Sequence, residues 1–448
     1  MRVVAATEPW LDTVPADWPP SRIRNVAQLS PTYSDDPPSP EEMCTVVPME
    51  SVSETGSIDV SSVAPFADIN GGLTLFENRD VLFAKITPCM ENGKGAFVNQ
   101  VPTRYAFGST EFHVLRANYA VDPKFLYYYT FNSLYRAYAA ENMSGAAGQK
   151  RVSSRFLKDT RLFLPRLSEQ ERIAAYLDTS CAAIDAAVTA KRRQIDTLDG
   201  VKKAIIQRAV TRGLEENPTL RRTGNIWMVE VPSSWELVSL KRISEVQTGL
   251  TLGKVYEGAL IERPYLRVAN VQDGHLNLGD VTRIDVPKEV AQRVTLRTDD
   301  VLMTEGGDLD KLGRGTIWTG EIADCLHQNH IFAIRCFKHK LLPLFLAYLT
   351  ASQYGRDYFE ATGKRTTNLA STNSTKVGLF PIPRPSIDEQ HAICESLDAR
   401  LAHIRKIVGD IERQVITLVA YRKSLIHECV TGQRRVTEAE LKRAQAHG

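Results

Sequence analysis

Two short runs carry the side chains best suited to a chemical contact. Gln149-Lys150-Arg151 is followed by Ser153 and Arg155, and Lys364-Arg365 is followed by Thr366, Asn368 and Asn373. Cations suit phosphate oxygens, while amides and hydroxyls can reach base edges, so this mixture fits contact with double-stranded DNA. An ordinary solvated loop has the same composition, and spacing alone does not separate the two. Lys85, Asn92, Lys94 and Arg314 fall on turn-forming stretches that could join these runs.

Catalytic constellations are harder to find. The sequence has no G-x-G-x-x-G, no P-loop and no H-E-x-x-H, so neither a nucleotide cradle nor a metal-hydrolase helix is expected. Asp36-Pro37-Pro38-Ser39 is a weak likeness of an amino-methyltransferase motif. It lacks the aromatic that would stack on a flipped base, and a Pro/Ser loop is the plainer reading. Glu91 lies near Asp80 and Lys94, but its spacing to the lysine is wrong for a nuclease carboxylate cluster. His391, His403 and His427 have no histidine 220 residues earlier. The expectation is a non-catalytic chain with no metal or cofactor of its own.

The elements that would position the basic runs occur twice. Asp80-Val81-Leu82 matches Asp300-Val301-Leu302, an offset of 300 − 80 = 220. Gly93-Lys94-Gly95 matches Gly313-Arg314-Gly315, Pro123-x-Phe125-Leu126 matches Pro343-x-Phe345-Leu346, and Glu169-Gln170 matches Glu389-Gln390. Trp10, Val14, Pro15 and Trp18 align with Trp227, Val231, Pro232 and Trp235 at an offset of 217. So many ordered matches indicate a tandem repeat. Each copy reads as mixed strands and loops, with Val81 to Ile86, Phe107 to Leu115, Val301 to Met303 and Ile331 to Phe337 as strands. A proline-opened helix follows, Pro123 to Asn142 or Pro343 to Ala361. Its first copy is rich in Tyr and Phe, which could stack on bases but at helical spacing fit a core better. A basic loop and a proline brake at Pro165 or Pro381-Ile382-Pro383 then end the globular part.

Beyond each brake the period becomes seven. One seam row is Leu177, Ile184, Lys191, Leu198, Ile205, and the other runs through Cys181, Val188, Ile195, Lys202, Ala209. The second copy gives Leu397, Ile404, Ile411, Leu418, Leu425 and Leu401, Val408, Val415, Arg422, Cys429. Rows held this long predict a coiled coil, and a duplicated module would pair its two helices antiparallel. Each helix would span at most about 65 Å at ~1.5 Å per residue. That exceeds one duplex turn of about 34 Å. Lys191, Lys202 and Arg422 interrupt the seam, either to fix register or to open it toward a partner.

The fold class expected is therefore α+β, two mixed domains in tandem, each followed by a long helix. The bounds are an N-terminal segment 1–15, a domain 16–165, a helix 166–213, a linker 214–232, a domain 233–385, a helix 386–432 and a tail 433–448. The 448 residues are 43% hydrophobic and 24% charged, in the range of soluble globular proteins. No uninterrupted apolar run reaches the roughly 18 residues that span a bilayer. Seven scattered cysteines without a C-x-x-C argue against disulfide and zinc frameworks and for the cytoplasm. A net charge of only +2 means that any nucleic-acid contact must be local or shared with a partner.

Two segments carry a family likeness. One runs from Ala209-Val210-Thr211-Arg212-Gly213-Leu214 through Trp227 and Val231-Pro232 to Trp235. The other is the paired motif Leu164-Pro165-x3-Glu169-Gln170-x2-Ile173 and Ile382-Pro383-x5-Glu389-Gln390-x2-Ile393. With the tandem architecture, the chain resembles the specificity subunit of type I restriction-modification systems. The resemblance implies two target-recognition domains reading unlike halves of a bipartite DNA site. It implies a helical spacer that sets the gap and docks two modification (methyltransferase) subunits, joined by restriction (translocase/nuclease) subunits. S-adenosylmethionine, and ATP with Mg, would then sit on those partners, and no membrane is involved. A methylation-only complex, a self-sufficient methyltransferase or nuclease, and a scaffold without a DNA role are the competing readings.

Overall fold

The computed structural model describes residues 2–3, 11, 13–32, 37–69, 73–146, 148–251, 253, 256–307, 313, 315–365 and 370–447. The chain is α+β and divides into two compact units, 1–192 with 412–448, and 193–411. The units are not a domain plus its own helix. Each combines one globular head with the first half of the helix that follows it and the last half of the other long helix.

In the first head, an antiparallel sheet orders its strands Ala27–Leu29, Phe112–Ala117, Val81–Ala84, Gly95–Phe97. A second sheet orders Val63–Pro65, Met43–Val47, Ala106–Gly108, Thr74–Phe76, with Ala106–Gly108 parallel to Met43–Val47. The expected strand Phe107 to Leu115 is thus two strands in two sheets. The chain turns between them at Ser109, whose carbonyl accepts from Phe112 N at 3.0 Å. The second head repeats the antiparallel sheet as Ser244–Thr248, Ile331–Cys336, Val301–Thr304, Gly315–Ile317. Beside it lies a three-stranded sheet of Thr282–Val286, Ile261–Leu266 and Leu326–His327.

The repeated Asp-Val-Leu is explained by a buried ion pair. Asp80 is 1% exposed and accepts from Arg116 at 2.9 and 2.7 Å and from Glu77 N at 2.9 Å. Asp300, equally buried, accepts from Arg335 at 3.0 and 3.3 Å and from Arg297 N at 2.9 Å. The apolar residues that follow, Val81-Leu82 and Val301-Leu302, fill the sheet cores.

Each proline-opened helix is two helices rather than one. The first copy breaks into Pro123–Phe131 and Ser133–Glu141, the second into Pro343–Ala351 and Gln353–Thr362. The residues between, Asn132 and Ser352, leave helical geometry and cap the following turn, accepting from Leu134 N and Gly355 N respectively. Phe125, Tyr127, Tyr128, Tyr129, Phe131 and Tyr135 are buried in the core of the first unit. They are packing residues, not a stacking surface.

The long helices are Leu167–Arg212 and Ile387–Val430. By composition, a stretch of the first is apolar enough to cross a membrane, but its row Leu177, Cys181, Ile184 and Val188 packs in the first unit's core. Segments of the two helices pair antiparallel: Asp185 meets Arg422, while Arg172 lies farther along at Val436. Leu177, Ile184, Val188, Leu397, Leu401, Ile404, Ile411 and Leu425 are buried. Ile195, Leu198, Val408, Val415 and Leu418, toward the middle of each helix, are half-buried, as is Ile205 near the end of the first. Near the heads the buried stripe widens to Ile206, Val210, Ile426 and Val430, because a head supplies a further wall.

Gln170 and Gln390 join helix to head in identical fashion. Each is at most 1% exposed. The Oε1 of Gln170 accepts from Asp122 N at 2.8 Å, and its Nε2 donates to the carbonyls of Ala120 and Pro165. Gln390 does the same with Leu342 N, Lys340 O and Pro385 O. Tyr128 to Asp178 and Tyr348 to Asp398 form a second repeated tie.

Both segments expected as connectors are structured. The linker holds a hairpin of Leu220–Arg222 with Glu230–Pro232. The tail forms a helix, Glu438–His447, that packs Leu441 and Ala444 on the first unit's core. Arg435 binds Asp17 at 3.1 Å and Glu169 at 3.1 Å. In the second unit, Glu389 instead accepts from Trp235 Nε1 at 3.0 Å.

Of the seam cations, Arg422 is a lock. Its side chain is 13% exposed, 3.1 Å from Asp185, bonded to Thr55 O at 3.2 Å and placed over the Phe131 ring. Lys202, its counterpart, is exposed. Replacing Arg422 with Leu removes this three-way tie and should lower stability by about 2 kcal/mol, read by denaturant unfolding; an unchanged midpoint would refute the lock. Gln390→Ala removes the partner of three backbone groups at a largely buried joint and should cost about 2–3 kcal/mol by the same measurement.

Candidate nucleic-acid interface

The two basic runs lie on the same element of each head, a narrow β-ribbon on the surface. In the first head Ser144–Ala146 pairs with Gln149–Arg151, Ser144 opposite Arg151 and Ala146 opposite Gln149. In the second, Lys364–Arg365 pairs with Ala370–Ser371, Lys364 opposite Ser371, and Gly306–Gly307 adds a third strand on the other side of Ala370–Ser371. The cations therefore occupy opposite strands, Lys150 on the second strand of one ribbon and Lys364 on the first strand of the other. The two runs, both basic stretches ahead of a proline brake, are thus inverted on their ribbons. Subtracting 220 from Lys364 gives Ser144, not Lys150, and that arithmetic was available from the sequence.

The first ribbon is built from small residues. Ser144, Gly145, Ala146, Gly148, Gln149 and Lys150 are all exposed. Gly145 has φ +149°, and a Cβ there would lie 2.2 Å from Gln149 O, so the two strands approach as closely as glycine allows. The foot is fastened by Thr87, which exchanges backbone and hydroxyl bonds with Lys150 and donates to Gly148 O at 2.8 Å. Two-stranded ribbons of this width fit the major groove of B-DNA.

Arg151 is committed to that foot. It forms a bidentate pair with Glu111, at 2.8 to 3.2 Å. The bond to Arg151 holds the Glu111 carboxyl below its ordinary range. Beside it His113 donates to Val152 O at 2.9 Å, and burial chiefly keeps its imidazole below the usual pKa, as does the charge of Lys85. Lys85 is half-buried next to this cluster. In the second head the matching strand end carries Glu305, whose carboxylate meets His330 Nδ1.

The other expected contact residues divide. Ser153 and Asn373 are helix caps, accepting from Phe156 N at 3.1 Å and Lys376 N at 2.9 Å, which accounts for their common place 220 residues apart. Arg155 is 93% exposed, with Asp159 at 3.8 Å. Lys94 donates to Met49 O at 3.0 Å and so fastens a loop. Asn92 is exposed beside the long helices, in a cleft of about 690 Å³ that Arg422 also lines. Arg314, Thr366 and Asn368 lie outside the described residues, as does Asp36 of the Pro-Pro run. Arg365 is placed as a strand residue only. What sequence reasoning missed is Glu111, Glu305 and His330, none of which belongs to a repeated motif.

Comparison with known proteins agrees with this architecture. The sequence model described as "Type I restriction modification DNA specificity domain" matches residues 15–195. A putative type I restriction enzyme MjaX specificity subunit of Methanocaldococcus jannaschii is 27% identical over 207 residues, 45% of this chain and 47% of that protein. The match thus spans about half of that relative's length. A solved chain from a study of assembly and conformational transition of the type I R-M system superposes with a TM-score of 0.72 at 18% identity, covering 93% of this chain and 98% of its own. The HsdS subunit of Thermoanaerobacter tengcongensis gives 0.57 at 19% identity, covering 94% and 98%. Residues 15–195 thus match the type I restriction-modification DNA specificity domain, and the two α+β heads, each followed by a long helix, share the fold of those two solved chains.

Proposed function

We propose that this chain is the non-catalytic DNA-recognition subunit of a type I complex, each head reading one half of a bipartite, asymmetric site. The observation that carries this reading is the division between framework and surface. The buried acids, the glutamine ties and the tyrosine–aspartate ties recur in both heads, while the exposed ribbons differ in the strand that bears charge. A protein reading two unlike half-sites needs this combination of shared scaffold and unlike reading surface.

The long helices would act as the spacer that fixes the unread gap and as the dock for two modification subunits. Their 46 and 44 residues support that role, since each is longer than one duplex turn at ~1.5 Å per residue. S-adenosylmethionine would belong to the modification subunits, and ATP with Mg to the restriction subunits that complete the soluble complex.

Two outcomes test the reading. Lys150→Ala should weaken binding of the assembled complex about equally on all sequences and lower the salt slope by about one. Salt-dependent binding isotherms check this, and unchanged isotherms would count against the ribbon as a phosphate contact. Deleting the matched heptads 192–198 and 409–415 removes about 10 Å of spacer. Methylome sequencing of a host expressing the complex should then show the gap shortened by about three base pairs, or modification lost; an unchanged site would sink the spacer model.

A further inference from the structure

Lys85 and Glu305 occupy one backbone socket with opposite charge. Lys85 N donates to Glu111 O at 2.9 Å, and Lys85 O accepts from Val152 N at 2.9 Å. Glu305 N donates to His330 O at 2.8 Å, and Glu305 O accepts from Thr372 N at 2.8 Å. The offsets, 305 − 85 and 372 − 152, are both 220. Val152 and Thr372 each directly follow the second strand of a ribbon, so both sockets lie at a ribbon's foot.

The surroundings diverge in step. At the first socket, Lys85 stands beside the Arg151–Glu111 ion pair. At the second, the place of Arg151 is taken by Ser371, which pairs with Lys364 across the ribbon, and the Glu305 carboxylate meets His330 Nδ1. The Glu305 side chain is 27% exposed and that of His330 is 53% exposed, so the carboxylate is reachable.

We propose that Lys85 and Glu305 are specificity-determining residues, Lys85 contacting the O6/N7 edge of a guanine and Glu305 accepting from the N4 amine of a cytosine. This inference rests on the DNA-reading assignment above. A lysine ammonium offers only donors and a carboxylate only acceptors, and in the major groove those edges are the complementary ones. The two heads would then differ in base preference at the same place in each half-site. The ribbon supplies the approach, and the socket residue supplies the choice.

The test is selection from a randomised duplex pool by the assembled complex, comparing wild type with Lys85→Glu and Glu305→Gln. With Lys85→Glu, one position of one half-site should change from guanine to cytosine preference. With Glu305→Gln, one position of the other should lose cytosine preference about tenfold and gain adenine, the base whose edge an amide fits. All other positions should keep their wild-type preferences. Preferences unchanged everywhere, or a loss of affinity uniform over all sequences as expected of a phosphate contact, would overturn the inference while leaving DNA reading intact. A wild-type complex that enriches no sequence would overturn the DNA-reading assignment itself, and this inference with it. Thermal unfolding guards against misfolding, and the milder Lys85→Gln must also erase the guanine preference if Lys85 reads it.

Discussion

The architecture depends on an amide buried at each junction of head and helix. Gln170 and Gln390 satisfy one N–H and two carbonyls apiece at the point where irregular chain passes into a long helix. Helix starts leave unpaired donors, and loops arriving there bring unpaired acceptors. A buried side chain that serves both fixes the direction in which the helix leaves its head. Glutamate could not replace it, because a carboxylate cannot donate to Pro165 O or Ala120 O. This accounts for an unremarkable-looking Glu-Gln dipeptide recurring at one place in both copies.

Around that joint the two units use different means to the same end. In the second, Glu389 receives the indole N–H of Trp235. In the first, Glu169 receives Arg435, which also binds Asp17, so segments from near both ends of the sequence meet at one guanidinium. Arg422 adds a lock that its counterpart Lys202 does not reproduce. A cation in an apolar seam is costly unless paired and bonded, and Arg422 has a carboxylate, a carbonyl and an aromatic face. Its cost is thereby offset, and a single register of the two helices is favoured over neighbouring ones.

Much of this was legible in the sequence. The heptad rows and the proline brakes located both long helices to within a residue or two, because periodicity and backbone restriction are local properties. Less was legible where one side chain redirects the chain. Asn132 and Ser352 split helices whose apolar pattern continues unbroken through them. Ser153 and Asn373 looked like base-reading groups because capping residues and base-contacting residues are the same small polar types. The interface was least legible of all. Arg151 is tied up by Glu111 from a distant strand, and Lys94 by a carbonyl 45 residues away. Composition counts such cations as available, and only tertiary structure shows which are committed elsewhere.

That distinction also bears on how the two heads came to differ without losing their fold. Asp80 and Asp300 hold their arginines through side-chain oxygens in a buried place, so a change at either carboxylate would cost its arginine a buried partner. The sockets of Lys85 and Glu305 share two backbone hydrogen bonds that any residue with an N–H and a C=O can make. A side chain there can exchange a cation for an anion at little cost to the sheet. Positions bound by their backbone and open at their side chain are the places where a recognition surface can vary freely. In this chain they lie at the foot of the exposed ribbons.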